Sequence, residues 1–246
     1  RVIRALATSR ISARVKGIPL WPFLLWGLVG GLTLMACNAQ AEEKTPLRFL
    51  ALGNSYTIGE RVPPDQRWPL QLVERLRERG LDINAPTIVA TTGWTTAQLS
   101  TGITAADLDD AYDLVSLQIG VNNQYQGRSP AEYRQEFASL LARAIVLASD
   151  DPARVIVLSI PDWGVTPFAA GRDRAAIRAE IDAFNAINQQ AAYAAGVHYV
   201  DVTPISRQAA EDDGLLAPDG LHPSAQMYAA WVDLVFPVAL EALDAR

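Results

Sequence analysis

Short apolar runs alternate with segments of helical periodicity along most of the chain, and this alternation limits the possible folds more than any other feature. Strands are predicted over residues 47–52, 87–90, 113–119, 154–160 and 197–202. Helices are predicted over residues 68–79, 96–99, 130–148, 174–195 and 224–243, with a kink or an early end at Pro237 in the last one. Strands that alternate with helices form βαβ units with helices on both faces of a parallel sheet. The sequence therefore predicts an α/β fold, a three-layer α/β/α sandwich with a five-stranded parallel sheet.

The first 37 residues differ in composition from the rest of the chain. Residues 1–16 contain five basic residues and no acidic one, and residues 18–36 are mostly apolar. A basic segment followed by an apolar stretch and small residues is typical of a secretory signal. The stretch ends in Leu34-Met35-Ala36-Cys37, which resembles the bacterial lipobox, where the cysteine becomes the lipidated first residue of the mature protein.

Three interpretations of this segment stay open. A lipoprotein signal with lipidation at Cys37 is favoured, because the single cysteine of the chain lies where a lipobox needs it. The alternatives are an uncleaved membrane anchor, since about 19 apolar residues just span a bilayer, and an ordinary signal peptide. All three predict export of the domain, and the favoured one predicts a protein of the bacterial cell envelope that is lipid-anchored and faces the periplasm. Residues 38–46 are then a tether and residues 47–246 a folded domain.

Charge and motif content argue against several classes of function. The formal net charge is −6, and removing residues 1–37 takes away five of 21 basic residues and none of 27 acidic ones, which leaves −11. An acidic domain without a basic stripe argues against nucleic acid as a partner. The chain has no His-Glu-x-x-His, no cysteine ligand set and no phosphate-binding glycine loop after a strand. Neither a metal nor an organic cofactor is therefore predicted.

Five residues suited to catalysis follow predicted strands or precede the last helix. They are Ser55, Gly93, Asn122, Asp219 and His222. Because the carboxyl ends of parallel strands share one edge of the sheet, residues distant in sequence converge there. Taken alone, Ser55 would equally well cap the next helix, and Gly93 would be an ordinary turn glycine.

Together, the segments around these residues resemble the four sequence blocks of the SGNH (GDSL-type) hydrolase superfamily. In chain order they are Gly53-Asn54-Ser55, Gly93, Gly120-Val121-Asn122-Asn123 and Asp219-Gly220-Leu221-His222-Pro223. The blocks span essentially the whole exported domain. One position departs from the pattern, because the usual Gly-Asp-Ser is here Gly-Asn-Ser. Asparagine is nearly isosteric with aspartate and makes similar local turn hydrogen bonds, so we expect the turn itself to be retained.

The resemblance implies a flavodoxin-like sandwich for the predicted α/β/α fold, and a serine esterase or acylhydrolase acting on a small-molecule, glycan or lipid ester. In that family pattern Ser55 is the nucleophile, His222 the general base and Asp219 the residue that orients His222. The backbone N–H groups of Ser55 and Gly93 and the side chain of Asn122 form the oxyanion hole. Elementary chemistry agrees, because a serine hydroxyl needs a base to become a nucleophile. A non-catalytic envelope binding or scaffold lipoprotein with the same fold stays open as an alternative.

Some residues near the predicted site are harder to assign. The Gly-x-Asn pattern favours Asn122 over the neighbouring Asn123 as the residue that points inward. Trp94 and Tyr125 lie in loops near the site and are predicted to bind substrate, since aromatic side chains suit an acyl or glycan pocket. Two further aromatic residues with the same prediction are Tyr56 and Trp163.

Overall fold

The computed structural model describes residues 45–109 and 111–244; Cys37 and the predicted signal segment lie outside these residues. The described strands are β1 (Phe49–Gly53), β2 (Thr87–Ala90), β3 (Leu114–Gln118), β4 (Val155–Leu158) and β5 (His198–Val200). They form a sheet in the order β2-β1-β3-β4-β5, and every neighbouring pair is parallel. This is the flavodoxin-like order of a doubly wound sheet. The predicted fold class is confirmed.

The strands begin and end close to their predicted positions, but most are shorter. β1, β3 and β4 are buried along their whole length, which explains why they carry no charged residue and why β1 and β4 are apolar throughout. Beyond the sheet, backbone groups find other partners. The N–H of Ile160 donates to Oδ1 of Asn185 at 2.7 Å, and the N–H of Arg48 donates to Oδ2 of Asp113 at 2.7 Å. Side-chain acceptors therefore take over where the strand ladder stops.

The described helices include five long ones at the predicted places, of which the one beginning at Thr96 ends six residues later than predicted, and three short ones that were not predicted. The long ones are α2 (Trp68–Glu78), α3 (Thr96–Ala105), α5 (Pro130–Leu147), α6 (Arg174–Ala194) and α8 (Ala225–Asp244), and the short ones are α1 (Ser55–Ile58), α4 (Val121–Tyr125) and α7 (Thr203–Arg207). Four or five residues are too few to show helical periodicity, which is why the short helices were missed. Helix α2 packs with α8, and α5 packs with α3 and α6, so two groups of helices flank the sheet.

The last helix, α8, is the most apolar of the long helices. By length and composition it is the one described helix that could cross a membrane, yet eight of its residues are buried in the domain. That burial is typical of a core helix. The predicted early end at Pro237 is wrong, because the helix continues past the proline to Asp244. Val235 and Ala239, on either side of the proline, are fully buried and hold both halves against the core.

Candidate active site

The carboxyl ends of three central strands lie level with one another. Gly53, the last residue of β1, pairs with Ala90 at the end of β2 and with Gln118 at the end of β3. The predicted site residues that follow these strand ends within four positions are Ser55, Gly93 and Asn122. The sheet register therefore delivers three of the predicted blocks to the same edge.

Ser55 is the first residue of α1, and the residue before it caps that helix. The side-chain Oδ1 of Asn54 accepts a hydrogen bond from the Tyr56 N–H at 3.1 Å. The cap is thus Asn54 and not Ser55, and the asparagine makes the local turn bond expected of it. Gly53 is required by the packing, because a Cβ there would lie 2.0 Å from the Thr57 hydroxyl.

The loop before α8 holds Asp219 and His222 together. Nδ1 of His222 lies 2.7 Å from Oδ2 of Asp219. The other carboxylate oxygen, Oδ1, accepts hydrogen bonds from the backbone N–H groups of Leu221 and His222 at 3.1 and 3.0 Å. The loop is closed by the Ala217 N–H, which donates to the His222 carbonyl at 2.8 Å. Both oxygens of the carboxylate are therefore committed to orienting His222.

The electrostatic surroundings favour an ionised Asp219. Partial burial raises its pKa, but the hydrogen bonds from the His222 ring and from two backbone N–H groups lower it, and the net shift is below the ordinary value. Nε of Arg61 also lies 3.7 Å from the same Oδ2 that faces His222. A carboxylate at this place accepts from Nδ1–H, which leaves Nε2 of His222 as the proton acceptor.

Two neighbouring asparagines on α4 have different surroundings. Asn122 lines the cavity that also contains Ser55, and its Nδ2 donates to the Trp94 carbonyl at 2.9 Å. Asn123 is 2% exposed, and its amide bonds the backbone N–H and the hydroxyl of Thr96 at 3.1 and 2.6 Å. Because a carboxamide has two N–H donors, Asn122 keeps one for a ligand, whereas Asn123 is used to join α4 to α3.

Gly93 follows β2 in a backbone conformation that favours glycine. Its φ is +83°, and a Cβ at this position would meet no atom within 4 Å. The glycine is thus required by its left-handed backbone, not by lack of space. It lines the same cavity as Asn122.

A cavity of about 180 Å³ joins these groups. Ser55, Gly93, Asn122 and His222 line it together, and the remaining walls are mainly apolar: Tyr56, Val121, Tyr125, Trp163, Phe168 and Leu221, with Thr92 at the edge. The Tyr56 ring lies 5.6 Å from the His222 ring. Burial raises the pKa of Tyr56 far above its ordinary value, with a smaller effect of the Asp162 and Asp219 carboxylates, so the phenol is neutral at physiological pH.

Of the four aromatic residues predicted to line the pocket, three do so in the structure and one does not. Tyr125, Tyr56 and Trp163 line the cavity, whereas Trp94 does not. The indole of Trp94 instead covers Gly102 of α3, where a Cβ would lie 2.2 Å from its ring. The prediction for Trp94 is corrected accordingly, since the small residue on α3 gives its side chain a packing place away from the cavity.

Phe168 is the main wall residue that the sequence reasoning missed. It lies in the loop 163–173 after β4, where it packs 5.9 Å from the Trp163 ring and is 44% exposed. Its N–H donates to the Gly220 carbonyl at 3.2 Å, and Pro167 would contact a Cβ at Gly220 at 3.3 Å. The available signal was its position after the carboxyl end of a predicted strand.

Within residues 45–109 and 111–244, no three His, Cys, Asp or Glu side chains are grouped so as to hold a metal. Of the carboxylates near His222, Asp219 is bound to the imidazole, and Glu60 accepts from the Thr92 hydroxyl and faces Arg61 at 3.6 Å. The cavity presents a hydroxyl, an imidazole and an amide. These are the groups of nucleophilic catalysis with an oxyanion site.

Comparisons with known proteins agree with this set of groups. The arylesterase of Vibrio mimicus is 30% identical over 141 residues, which make up 54% of this chain and 65% of that protein. Esterase TesA of Pseudomonas aeruginosa is 28% identical over 143 residues, or 56% of this chain and 66% of that protein. The chain thus matches just under two thirds of the length of these curated relatives.

Structure and family comparisons extend further along the chain. A crystal structure of TesA superposes with a TM-score of 0.62 at 22% identity and covers 80% of this chain and 99% of that one, which agrees with the observed fold. The model of the GDSL-like lipase/acylhydrolase family matches residues 51–230. This match covers well over half of the chain and contains Ser55, Gly93, Asn122, Asp219 and His222. The chain therefore belongs to the GDSL-like lipase/acylhydrolase family.

Proposed function

We propose that this protein is a serine hydrolase that cleaves carboxylic esters through an acyl-enzyme. The observation that carries the proposal is a single cavity lined by Ser55, Gly93, Asn122 and a His222 whose other face is bound to Asp219 at 2.7 Å. Family membership and the two esterase relatives support the same activity. A scaffold protein has no chemical need for all of these groups in one place.

The proposed mechanism assigns each group one task. Ser55 Oγ attacks the ester carbonyl while Nε2 of His222 takes its proton. The oxyanion of the tetrahedral intermediate accepts hydrogen bonds from the N–H groups of Ser55 and Gly93 and from the amide of Asn122. As the intermediate collapses, the imidazolium returns the proton to the departing alkoxide. Water then attacks the acyl-enzyme with His222 again as the base, and Ser55 is regenerated.

Asp219 has an electrostatic role in each of these steps. The imidazole becomes positively charged every time it takes a proton, and an ionised carboxylate 2.7 Å from Nδ1 stabilises that charge. The lowered pKa of Asp219 keeps it ionised at neutral pH. Because its second oxygen is held by two backbone N–H groups, the carboxylate does not have to reorient during the reaction.

The size of the cavity favours a small substrate group. A cavity of about 180 Å³ is similar to one of roughly 150 Å³ that accommodates benzene in another protein. One aromatic ring or an acyl chain of a few carbons fits such a space. We therefore propose esters with a short acyl chain or an aryl group as substrates, which agrees with the arylesterase among the relatives.

A chain-length series of p-nitrophenyl esters tests both the activity and the size limit. The full chain should hydrolyse short esters best, and Ser55→Ala should abolish this hydrolysis. A fluorophosphonate probe should label the wild type at Ser55 and leave the variant unlabelled. Hydrolysis that survives in Ser55→Ala would refute the nucleophile, whereas no turnover and no labelling would favour the scaffold alternative.

For the cellular location, we propose export and lipid anchoring at Cys37. The support is the basic and apolar order of residues 1–36 and the Leu34-Met35-Ala36-Cys37 sequence. Mass spectrometry of the membrane-associated protein should find an N-terminal Cys37 that carries acyl chains. An unmodified and uncleaved N-terminus would refute the proposal in favour of an anchor.

A further inference from the structure

Arg172 lies against the aromatic wall of the Ser55 cavity. Its guanidinium carbon is 4.9 Å from the ring centre of Tyr125, 5.4 Å from that of Trp163 and 5.9 Å from that of Phe168. Its Nη2 also donates to the Tyr125 hydroxyl at 3.0 Å. All three rings line the cavity that contains Ser55. The three rings therefore contact the Ser55 cavity and also hold the guanidinium of Arg172, which lies outside that cavity.

The charge of Arg172 is not neutralised by the described part of the chain. Among residues 45–109 and 111–244, no carboxylate oxygen lies within 4 Å of its guanidinium. Two carboxylates nearby are committed elsewhere. Asp173 caps α6 by accepting from two backbone N–H groups, and Glu180 accepts from the buried amide of Gln124 at 2.6 Å. Arg61, the other cation near the site, faces both Glu60 and Asp219.

A cleft beside Arg172 gives a ligand access to this charge. The cleft has a volume of about 390 Å³, and its lining includes Arg172, Tyr125 and Trp163 as well as the two hydrogen-bonded carboxylates, Asp173 and Glu180. Tyr125 and Trp163 also line the Ser55 cavity, so the two spaces adjoin across these rings. A substrate that fills the smaller cavity with its reacting group has this cleft available for the remainder.

The chemistry of a guanidinium suits one class of ligand. It has five N–H donors in a planar fork that matches a carboxylate or a phosphate, and here one of the five is used by Tyr125. Because the aromatic faces already order the side chain, less conformational entropy is lost on binding. The domain is otherwise strongly acidic and repels anions in general. The positive charge of Arg172, without an ion-pair partner in the described part of the chain, therefore gives an anionic ligand a contact that a neutral one lacks.

We propose that Arg172 selects esters that carry a carboxylate or phosphate group on the portion that extends past Tyr125 and Trp163. The inference rests on the proposed ester hydrolase activity and adds the chemical class of the substrate. Arg172 is in this view a specificity residue, and it takes no part in the bond-breaking steps.

The test compares anionic and neutral esters of the same shape. For the alcohol side, the pair is 4-acetoxybenzoate and 4-acetoxybenzamide. For the acyl side, it is mono-(4-nitrophenyl) glutarate and its methyl ester, both followed by release of 4-nitrophenol. In Arg172→Gln, kcat/KM for the anionic member of at least one pair should fall by about fivefold, as expected for a charge-assisted bond at a solvent-exposed site. The neutral members should change by less than about twofold. A further ester, 4-acetoxyphenyl phosphate, compares phosphate with carboxylate.

Matched variants distinguish specificity from a structural role. Arg134→Gln removes an exposed arginine that bonds Gln190, away from both cavities, and should leave all ratios unchanged. Arg172→Lys keeps the charge and should retain part of the preference, and high salt should reduce the preference of the wild type. Equal losses on anionic and neutral esters, or an unchanged ratio in both pairs, would overturn the inference. Ser55-dependent hydrolysis of the neutral esters tests the proposed function separately, and turnover of no ester at all would overturn both.

Discussion

Two regions of the proposed active site are built in opposite ways. In the acid–base loop, residues 217–223, both oxygens of Asp219 are hydrogen-bonded and His222 is only 8% exposed. In the cavity mouth, formed by Tyr125, Phe168 and Arg172, both aromatic rings are 44% exposed, and the contacts are mostly between rings and one cation. The first region is suited to a fixed reaction geometry, and the second to the choice of substrate. Substitutions in the first should therefore change kcat, and those in the second should mainly change KM and substrate preference.

The largest effect is expected from replacing the proposed base. His222→Ala should lower kcat/KM by about 10⁴-fold or more, because Ser55 then has no proton acceptor. His198, the other histidine of the chain, lies on β5 and supplies a matched control. His198→Ala should retain activity within about twofold in the same ester assay. Comparable losses in the two variants would contradict the role given to His222.

The next effect concerns Asp219 and also gives a pH dependence. Asp219→Asn should reduce kcat by about 10²–10⁴-fold, since the neutral amide no longer stabilises the imidazolium. The pKa of this carboxyl is lowered in the folded state, so its ionisation stabilises the fold above the ordinary aspartate pKa, and this contribution is lost as the pH falls through the lowered value.

Urea unfolding of the wild type and of Asp219→Asn at a series of pH values measures this second effect. The stability advantage of the wild type should be complete near pH 7 and should shrink in the acidic range below the ordinary aspartate pKa. An advantage that stays constant down to the acid limit would contradict the lowered pKa.

A third prediction compares the two asparagines of α4. Asn122→Ala should lower kcat by about 10²–10³-fold as an oxyanion donor is lost, with little change in unfolding midpoint. Asn123→Ala should cost about 1–3 kcal/mol of stability, because it leaves the buried partners at Thr96 without their amide. Ester kinetics and urea unfolding of both variants check this division. A stability loss at Asn122 equal to that at Asn123 would mean that both residues are structural.

The smallest effect is expected in the cavity mouth. Phe168→Ala removes an exposed wall and should shift the preferred acyl length upward, with a change of a few-fold in KM (about 2–10-fold) and little change in kcat for the shortest ester. The p-nitrophenyl series measures the shift. Val146, exposed to the same 44% on α5, supplies a control substitution to alanine outside the site. A kcat loss in Phe168→Ala as large as in Asn122→Ala would contradict the division between the two regions.

The sequence predicts the acid–base loop and the strand ends better than the cavity mouth, for physical reasons. Ser55, Gly93 and Asn122 follow strands whose apolar runs are readable, and a parallel sheet aligns such ends at one edge. The Gly-x-Asn pattern favours Asn122 over Asn123 as the inward-pointing residue, and in the structure Asn122 lines the cavity whereas Asn123 bonds Thr96.

The mouth depends on contacts between residues distant in sequence. Trp94 and Phe168 are both aromatic residues in loops, and only tertiary packing decides which faces the cavity. Trp94 packs on Gly102 and leaves Phe168 to form the wall. The same holds for Arg172, whose place over three rings follows from the course of the loop 163–173. No periodicity or short motif encodes such contacts.

The contact between Pro167 and Gly220 matters for engineering this protein. Gly220 has φ +64°, a Cβ there would lie 3.3 Å from Pro167, and its carbonyl accepts from the Phe168 N–H. A side chain at Gly220 would thus be strained within the loop that carries His222 and would press on Pro167, the neighbour of Phe168. A library for new substrates should vary positions 125, 168 and 172 and leave this pair untouched. The substrate preference can then be altered while the proposed catalytic residues stay unchanged.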